Sequence, residues 1–203
     1  MRADELAEAF LRLANRTDCC GGYRGHTTTR KETNDDWVPL DRALCYHCVG
    51  MRVVGLHAIA PDNTAKWLAF DLDAHNGESP AANLAVAQQL AARLRRAGLT
   101  PYIFDSDGRG GLHVWAVFAA PRPSAEAFAL AQRMAADLPL PVEAFPKQPD
   151  VGLHRPYGNW IRLPGKHHKR GHWSRLWTDD GWATPEATID AVIEMCQTAS
   201  PSS

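Results

Sequence analysis

The sequence predicts an α+β fold, an antiparallel or mixed sheet with helices packed on one face. Between residues 51 and 145 the hydrophobic patterning runs strand, strand, helix, strand, strand, helix, strand. That order lacks the regular strand–helix alternation of a doubly wound sheet. No internal repeat at a fixed period is visible. A length of 203 residues suits one large domain, or one domain with a small appendage, and is enough to bury a real core.

Taken in order, residues 3–15 form an amphipathic helix with Leu6, Phe10 and Leu13 on one side. Residues 17–36 are polar and rich in Gly and Thr, so irregular structure is expected there. Pro39 and Asp41 open a short helix over 40–48. Residues 51–59 and 65–72 read as strands joined by the turn Pro61-Asp62-Asn63. Ser79-Pro80 caps a helix that runs to about Arg96 and is stopped by Gly98. Strands follow at 101–105 and 112–118, joined by Asp107-Gly108-Arg109-Gly110-Gly111. Ser124 caps a helix over 124–138. A short strand at 141–145, a loop over 146–158, strands at 159–163 and 174–178, and a helix over 185–196 complete the pattern. Residues 198–203 are a Ser/Pro linker or tail.

Composition is that of an ordinary globular protein, 45% hydrophobic and 22% charged with a net charge of −1. The local distribution says more. From Arg162 to Arg175 there are five Lys/Arg, three His and no acid, a surface suited to anions. No run of 18 apolar residues exists, so no membrane-spanning helix is expected. The charged, amphipathic start is unlike a signal peptide, and a cytoplasmic location is expected. Five cysteines, an odd count, argue against a disulfide framework. Cys45-Tyr46-His47-Cys48, with Cys19, Cys20 and His26 upstream, offers a possible zinc set of Cys19, Cys20, Cys45 and Cys48. The 24-residue gap between Cys20 and Cys45 exceeds typical finger spacing, and buried free thiols are the competing reading.

The chemistry concentrates in four segments. Phe70-Asp71-Leu72-Asp73-Ala74-His75 ends an apolar strand, and residues i and i+2 share a face. Asp71 and Asp73 therefore stand side by side, roughly 7 Å apart at Cα, and their repulsion is relieved by an oxygen-seeking divalent cation, Mg²⁺ or Mn²⁺. The second segment, Ser106 to Trp115, is a Gly-rich turn whose backbone N–H groups can form an anion-binding nest, with Arg109 adding charge and His113 entering the next strand. The third, Val142 to Gln148, supplies Glu143 as a third carboxylate for a two-metal site, with Asp150 as its competitor. The fourth, Gly158 to His168, carries Arg162 and Lys166, both suited to phosphate oxygens. Three acids and several cations together suit phosphoryl transfer from a nucleoside triphosphate. There is no Walker-type Gly-rich loop.

Taken as an ordered set, these segments resemble the archaeo-eukaryotic primase superfamily of primase-polymerases. Leu68-Ala69-Phe70-Asp71-Leu72-Asp73 matches its first motif and residues 106–115 its second, followed by the acidic strand. Phe145-Pro146-Lys147-Gln148 and residues 158–168 are similar to the branch found in phage, plasmid and TOTE-like conflict-system primases. The resemblance spans about residues 47–182 and implies a catalytic core like an RNA-recognition-motif sheet (residues 61–197) beside an N-terminal αβ unit (residues 1–60). It implies two Mg²⁺ or Mn²⁺ ions on Asp71, Asp73 and Glu143, with His113 among the catalytic residues. The implied nucleotide-binding set is Ser106, Arg109, Gly111, His113, Lys147, Asn159, Arg162, Lys166 and His167. The expected activity is template-dependent nucleotidyl transfer, as a DNA primase, a DNA polymerase or both, on NTP or dNTP with single-stranded DNA template and primer. A helicase or other replication module is the expected associate, and no membrane is involved. Trp115, Trp160, Trp173 and Trp177 lie near basic residues and offer either stacking platforms or core packing. The alternative function is a non-catalytic single-strand-binding module of a replication initiator.

Overall fold

The computed structural model describes residues 2–23, 38–74 and 79–199, and the backbone of residues 31–34. His26, His75 and residues 200–203 lie outside the described residues. The architecture is α+β. In order the elements are α1 (Ala3–Leu13), β1 (Cys20–Tyr23), β2 (Lys31–Asn34), α2 (Leu40–Cys48), β3 (Val54–His57), β4 (Thr64–Leu72), α3 (Pro80–Arg96), β5 (Pro101–Asp105), β6 (Leu112–Pro123), α4 (Ser124–Ala135), β7 (Glu143–Phe145), β8 (Trp160–Arg162), β9 (Trp177–Thr178), β10 (Gly181–Trp182) and α5 (Pro185–Gln197).

The central sheet has the order β5-β6-β4-β7, and all its pairings are antiparallel. Its chain order, β4-α3-β5-β6-α4-β7, is the split β-α-β-β-α-β arrangement. Strand alternation sorts its side chains. Leu68, Phe70, Leu72, Ile103, Leu112, Val114 and Ala144 pack beneath α3 and α4. Trp67, Ala69, Tyr102, Phe104, Trp115 and Phe145 face the other way, into a core shared with α1, α2 and α5. Helices therefore cover both faces, not one as the element order had suggested. The reason lies in the chain ends, whose helices close over the face that α3 and α4 leave open.

The local signals act as written in the sequence. Ser79 Oγ accepts the N–H of Ala82 and Pro80 takes the first helical position of α3. Gly98 follows that helix at φ +77°, the left-handed stop that glycine favours. At the other end, Thr198 caps α5 and Ala199 is buried in the core, so the expected tail begins later than residue 198.

A second antiparallel sheet, β2-β1-β3-β8, is built from the three N-terminal strands and takes its fourth strand from residues 160–162. Strands β1 and β2 correct the expectation of irregular structure over residues 17–36. Their formation depends on a distant residue. The Trp160 ring lies so close over Gly21 and Gly55 that a Cβ would stand 1.9 Å and 2.2 Å from it. Glycine at both positions is a packing requirement, and a Gly-Gly strand carries no hydrophobic alternation for a sequence reading to find.

Candidate active site

The site lies at one end of the central sheet, on the face turned toward the N-terminal unit. Strand β4 runs between β6 and β7, and Asp71 pairs in register with His113 on one side and Glu143 on the other. Directly opposed residues on neighbouring strands share a face, so the three side chains form one row. His113 Nε2 stands 3.5 Å from Asp71 Oδ1. Asp73 continues the same face beyond the strand end.

This row opens on a cavity of about 260 Å³. Asp71, Asp73, Ser106, His113, Arg162 and His167, all anticipated from the sequence, line it together. Tyr23, Asp107, Trp160, His168, Lys169 and Arg170 complete its polar and aromatic wall. The lining therefore mixes acids with cations, and one of its acids, Asp107, is paired with Arg170.

Arg162 dominates the cationic set. Strand β8 buries it to 7% exposure, and its Nη2 donates to the Ser106 carbonyl at 2.5 Å. Its Nη1 is buried without a hydrogen-bond partner among the described residues. Burial pulls the guanidinium below its ordinary value, against the opposing influence of Tyr23, Asp71, Asp107 and Asp105, but an arginine remains charged regardless. A buried, charged donor with an open N–H in a cavity is a ready anion ligand. His167 is held neutral. Burial first, and then Arg162, His168 and Arg170, push its ring down to about 3. Its Nδ1 accepts the Lys169 N–H at 3.1 Å. Tyr23 stacks on His168 with ring centres 3.9 Å apart and meets Trp160 edge-on. Burial raises its phenol above the ordinary value, with Arg162 opposing and Asp71 and Asp73 adding to the rise.

The Gly-rich turn behaves differently from its expected role as an anion nest. Its N–H groups are turned onto its own acids. Asp105 Oδ1 accepts from Asp107 and Gly108, and Asp107 Oδ1 accepts from Arg109 and Gly111. The backbone donor of Gly111 is thus already occupied, and Arg109 is exposed beside the turn. Asp107 Oδ2 also takes Arg170 Nη1 at 2.8 Å. Burial pushes the Asp107 carboxyl up, but the hydrogen bonds from Arg170, Arg109 and Gly111 outweigh it and leave the group below its ordinary value. The turn's acids therefore hold the basic 166–175 segment in place, helped by Asp105 against His172 and Arg175.

Other anticipated residues stand outside the cavity lining. Glu143 is in register with Asp71 but pairs with Lys147 at 2.6 Å. Asp150 is exposed. Asn159 is exposed, and its carbonyl accepts the Ala58 N–H. Lys166 lies along Gly50, with Nζ 3.4 Å from the Gly50 carbonyl. The zinc expectation is corrected. Cys20 and Cys48 are in the hydrophobic core, and Cys45 is exposed. Burial pushes the Cys48 thiol up to about 12, the state of a buried free thiol. His47 is committed elsewhere, with Nδ1 accepting from Val54 N–H and Nε2 facing the Pro164 carbonyl.

The family model of the archaeo-eukaryotic primase domain of TOTE conflict systems matches residues 14–202. The chain belongs to that family. A solved structure, the polymerase domain of Mycobacterium tuberculosis ligase D in complex with DNA, is similar at 19% identity with a TM-score of 0.43. The match covers 66% of this chain and 58% of that one. No curated protein matches in sequence.

In this primase domain the donor set suits a hard divalent cation, because Asp71 and Asp73 place oxygen donors on one cavity wall. Among the described residues no three His, Cys, Asp or Glu side chains form a group that could hold a metal ion. The third carboxylate, Glu143, is turned to Lys147. No helix among the described residues is long and apolar enough to cross a membrane. Sequence reasoning missed Tyr23, Asp107 and Arg170. Tyr23 sits on the unforeseen strand β1. Asp107 and Arg170 were visible within motifs already singled out, but their mutual pairing is not a local signal.

Proposed function

We propose that this primase domain transfers nucleotides from NTP or dNTP onto a growing strand against a single-stranded DNA template. The observation that carries the reading is the buried Arg162 Nη1, unpartnered among the described residues, in a cavity that Asp71 and Asp73 also line. Arg162 and Arg170 bind phosphate oxygens of the triphosphate, Arg162 from a position already locked by Ser106. His113, held beside Asp71 by the strand register, donates to a phosphate oxygen. Asp71 and Asp73 are the residues to hold divalent ions, with Glu143 completing the set once released from Lys147. Bound there, such ions supply Lewis acidity that lowers the pKa of the attacking 3′-hydroxyl and offsets charge on the triphosphate. The 3′-hydroxyl proton passes to solvent as a bond forms from the 3′-oxygen to the α-phosphorus, the bond from that phosphorus to the bridging oxygen breaks, and pyrophosphate leaves.

The test is extension of a labelled primer on a DNA template with Mg²⁺ or Mn²⁺, offering NTP and dNTP separately. Asp71→Asn is expected to abolish product while retaining the native circular dichroism spectrum. Absence of product from the wild type, with single-strand binding intact, would favour the non-catalytic module of a replication initiator.

A further inference from the structure

Among the described residues the large apolar side chains left exposed are Val49, Met51, Leu153 and Trp173. Three of the four meet at one place. Val49 and Met51 flank Gly50, which sits at φ +73°. A Cβ there would stand 2.7 Å from the Trp173 ring and 3.0 Å from Lys166 Cδ. The backbone at Gly50 is thus shaped to let Trp173 and the Lys166 stem lie against it. Met51 is 67% exposed and Trp173 43%, so an aromatic face and a thioether are offered to solvent together.

The surface is continuous with the cavity. Lys166 and Trp173 bridge each other at the base of a short hairpin, which is closed by His167 N–H to the His172 carbonyl and Ser174 N–H to the Gly165 carbonyl. The tip of the same hairpin, His167 to Arg170, lines the cavity. Charge identifies the partner. The hairpin strip from Arg162 to Arg175 has no acid, and neither does the turn from Val49 to Val53. Arg170 and Arg175 are paired with Asp107 and Asp105, but Lys166 lies beside Trp173 along Gly50 and Lys169 is exposed at the hairpin tip. Cations next to an exposed aromatic face match a chain of phosphates with bases to stack.

We propose that the Val49–Met51–Trp173 surface, rimmed by Lys166, seats the single-stranded template, with a base stacked on Trp173. The inference rests on the nucleotidyltransferase reading and adds to it the path of the template beside the cavity. It also gives Lys166 a role as a phosphate contact outside the triphosphate site.

The experiment uses the full chain and a fluorescein-labelled oligothymidylate of about 20 nucleotides, with binding read by anisotropy. dATP binding in the presence of Mg²⁺ is measured separately by calorimetry. Trp173→Ala is expected to weaken oligonucleotide binding about tenfold or more, and Trp173→Phe to restore most of it. Lys166→Ala is expected to reduce the salt dependence by about one phosphate contact. Unchanged oligonucleotide affinity in Trp173→Ala overturns the proposal. So does a wild type that binds dATP but no oligonucleotide, a result that leaves the nucleotidyltransferase reading standing. A wild type that binds the oligonucleotide through Trp173 but never binds dATP has the opposite meaning. If Trp173→Ala fails to fold, Met51→Asp decides, since an acid at that exposed position repels phosphate and a tenfold loss is again expected. A wild-type dimer that Trp173→Ala converts to monomer, with oligonucleotide affinity unchanged, would make the patch a protein interface and overturn the proposal.

Discussion

Acid should dismantle the support of the site through His47, well away from the cavity acids. His47 is fully buried on α2, against the Phe10 ring at 5.7 Å. Nδ1 accepts the Val54 N–H at 3.2 Å, and Nε2 faces the Pro164 carbonyl at 3.1 Å, just before the cavity hairpin. Burial, aided by the charge on Arg162, pushes the ring down from 6.5 to about 4. In the unfolded chain the ring protonates near 6.5, so below that pH the unfolded state binds more protons. Stability is whole above pH 6.5 and is lost as pH falls toward 4. At about 1.4 kcal/mol per pH unit, the full loss is about 3 kcal/mol, most of it already present at pH 4.5. Urea titrations followed by tryptophan fluorescence at pH 7.5 and pH 4.5 measure this. His47→Asn costs stability at both pH values, because it shortens a buried side chain and gives up the Pro164 contact. Its drop between the two pH values should nevertheless be smaller than that of the wild type by about 2–3 kcal/mol. Equal drops in the two proteins would refute the reasoning.

Gly55→Ala places a Cβ 2.2 Å from the Trp160 ring and should cost about 3 kcal/mol. In a Trp160→Ala background the cost should fall below about 1 kcal/mol, and a cost that stays the same in both backgrounds would show that the ring is not the obstacle. Asp107→Asn keeps an acceptor for the Arg109 and Gly111 N–H groups but removes the charge that holds Arg170. Loss of about 1–2 kcal/mol in urea titrations is expected, together with a KM for the incoming nucleotide raised severalfold at similar kcat, and an unchanged KM would argue that Arg170 does not meet the triphosphate.

The helices and the central sheet are legible in the sequence because their signals are local. Ser79 and Pro80 mark the start of α3 and Gly98 its stop, and alternation along 64–72 and 112–118 separates the two faces of the sheet. The acids of β4 are equally legible, since spacing alone puts Asp71 and Asp73 on one side. Strand β1 is not, because Gly21 is required by the Trp160 ring, 139 residues further along the chain. The covering of the second sheet face is hidden for a similar reason: α1 and α5 come from opposite ends of the chain. The fate of the Gly-rich turn is hidden too. Its composition suits an anion nest, and only the folded turn shows that Asp105 and Asp107 supply the anions themselves.

Arg162 explains why a site on the central sheet needs the N-terminal unit at all. Its backbone belongs to the second sheet, paired through β8 with Gly55 of β3. Its guanidinium instead reaches the carbonyl of Ser106, in the turn that feeds β6 of the first sheet. The acids that line the cavity with it, Asp71 and Asp73, come from β4 and from the residue just past its end. A single buried cation is thus fixed by one sheet, oriented by the other and directed at a cavity between them. Burying such a charge is costly unless its donors are satisfied, and Ser106 satisfies only part of them. The fold bears that cost at a position where a polyanion would supply what is missing, which is the ligand that the proposed nucleotidyl transfer calls for.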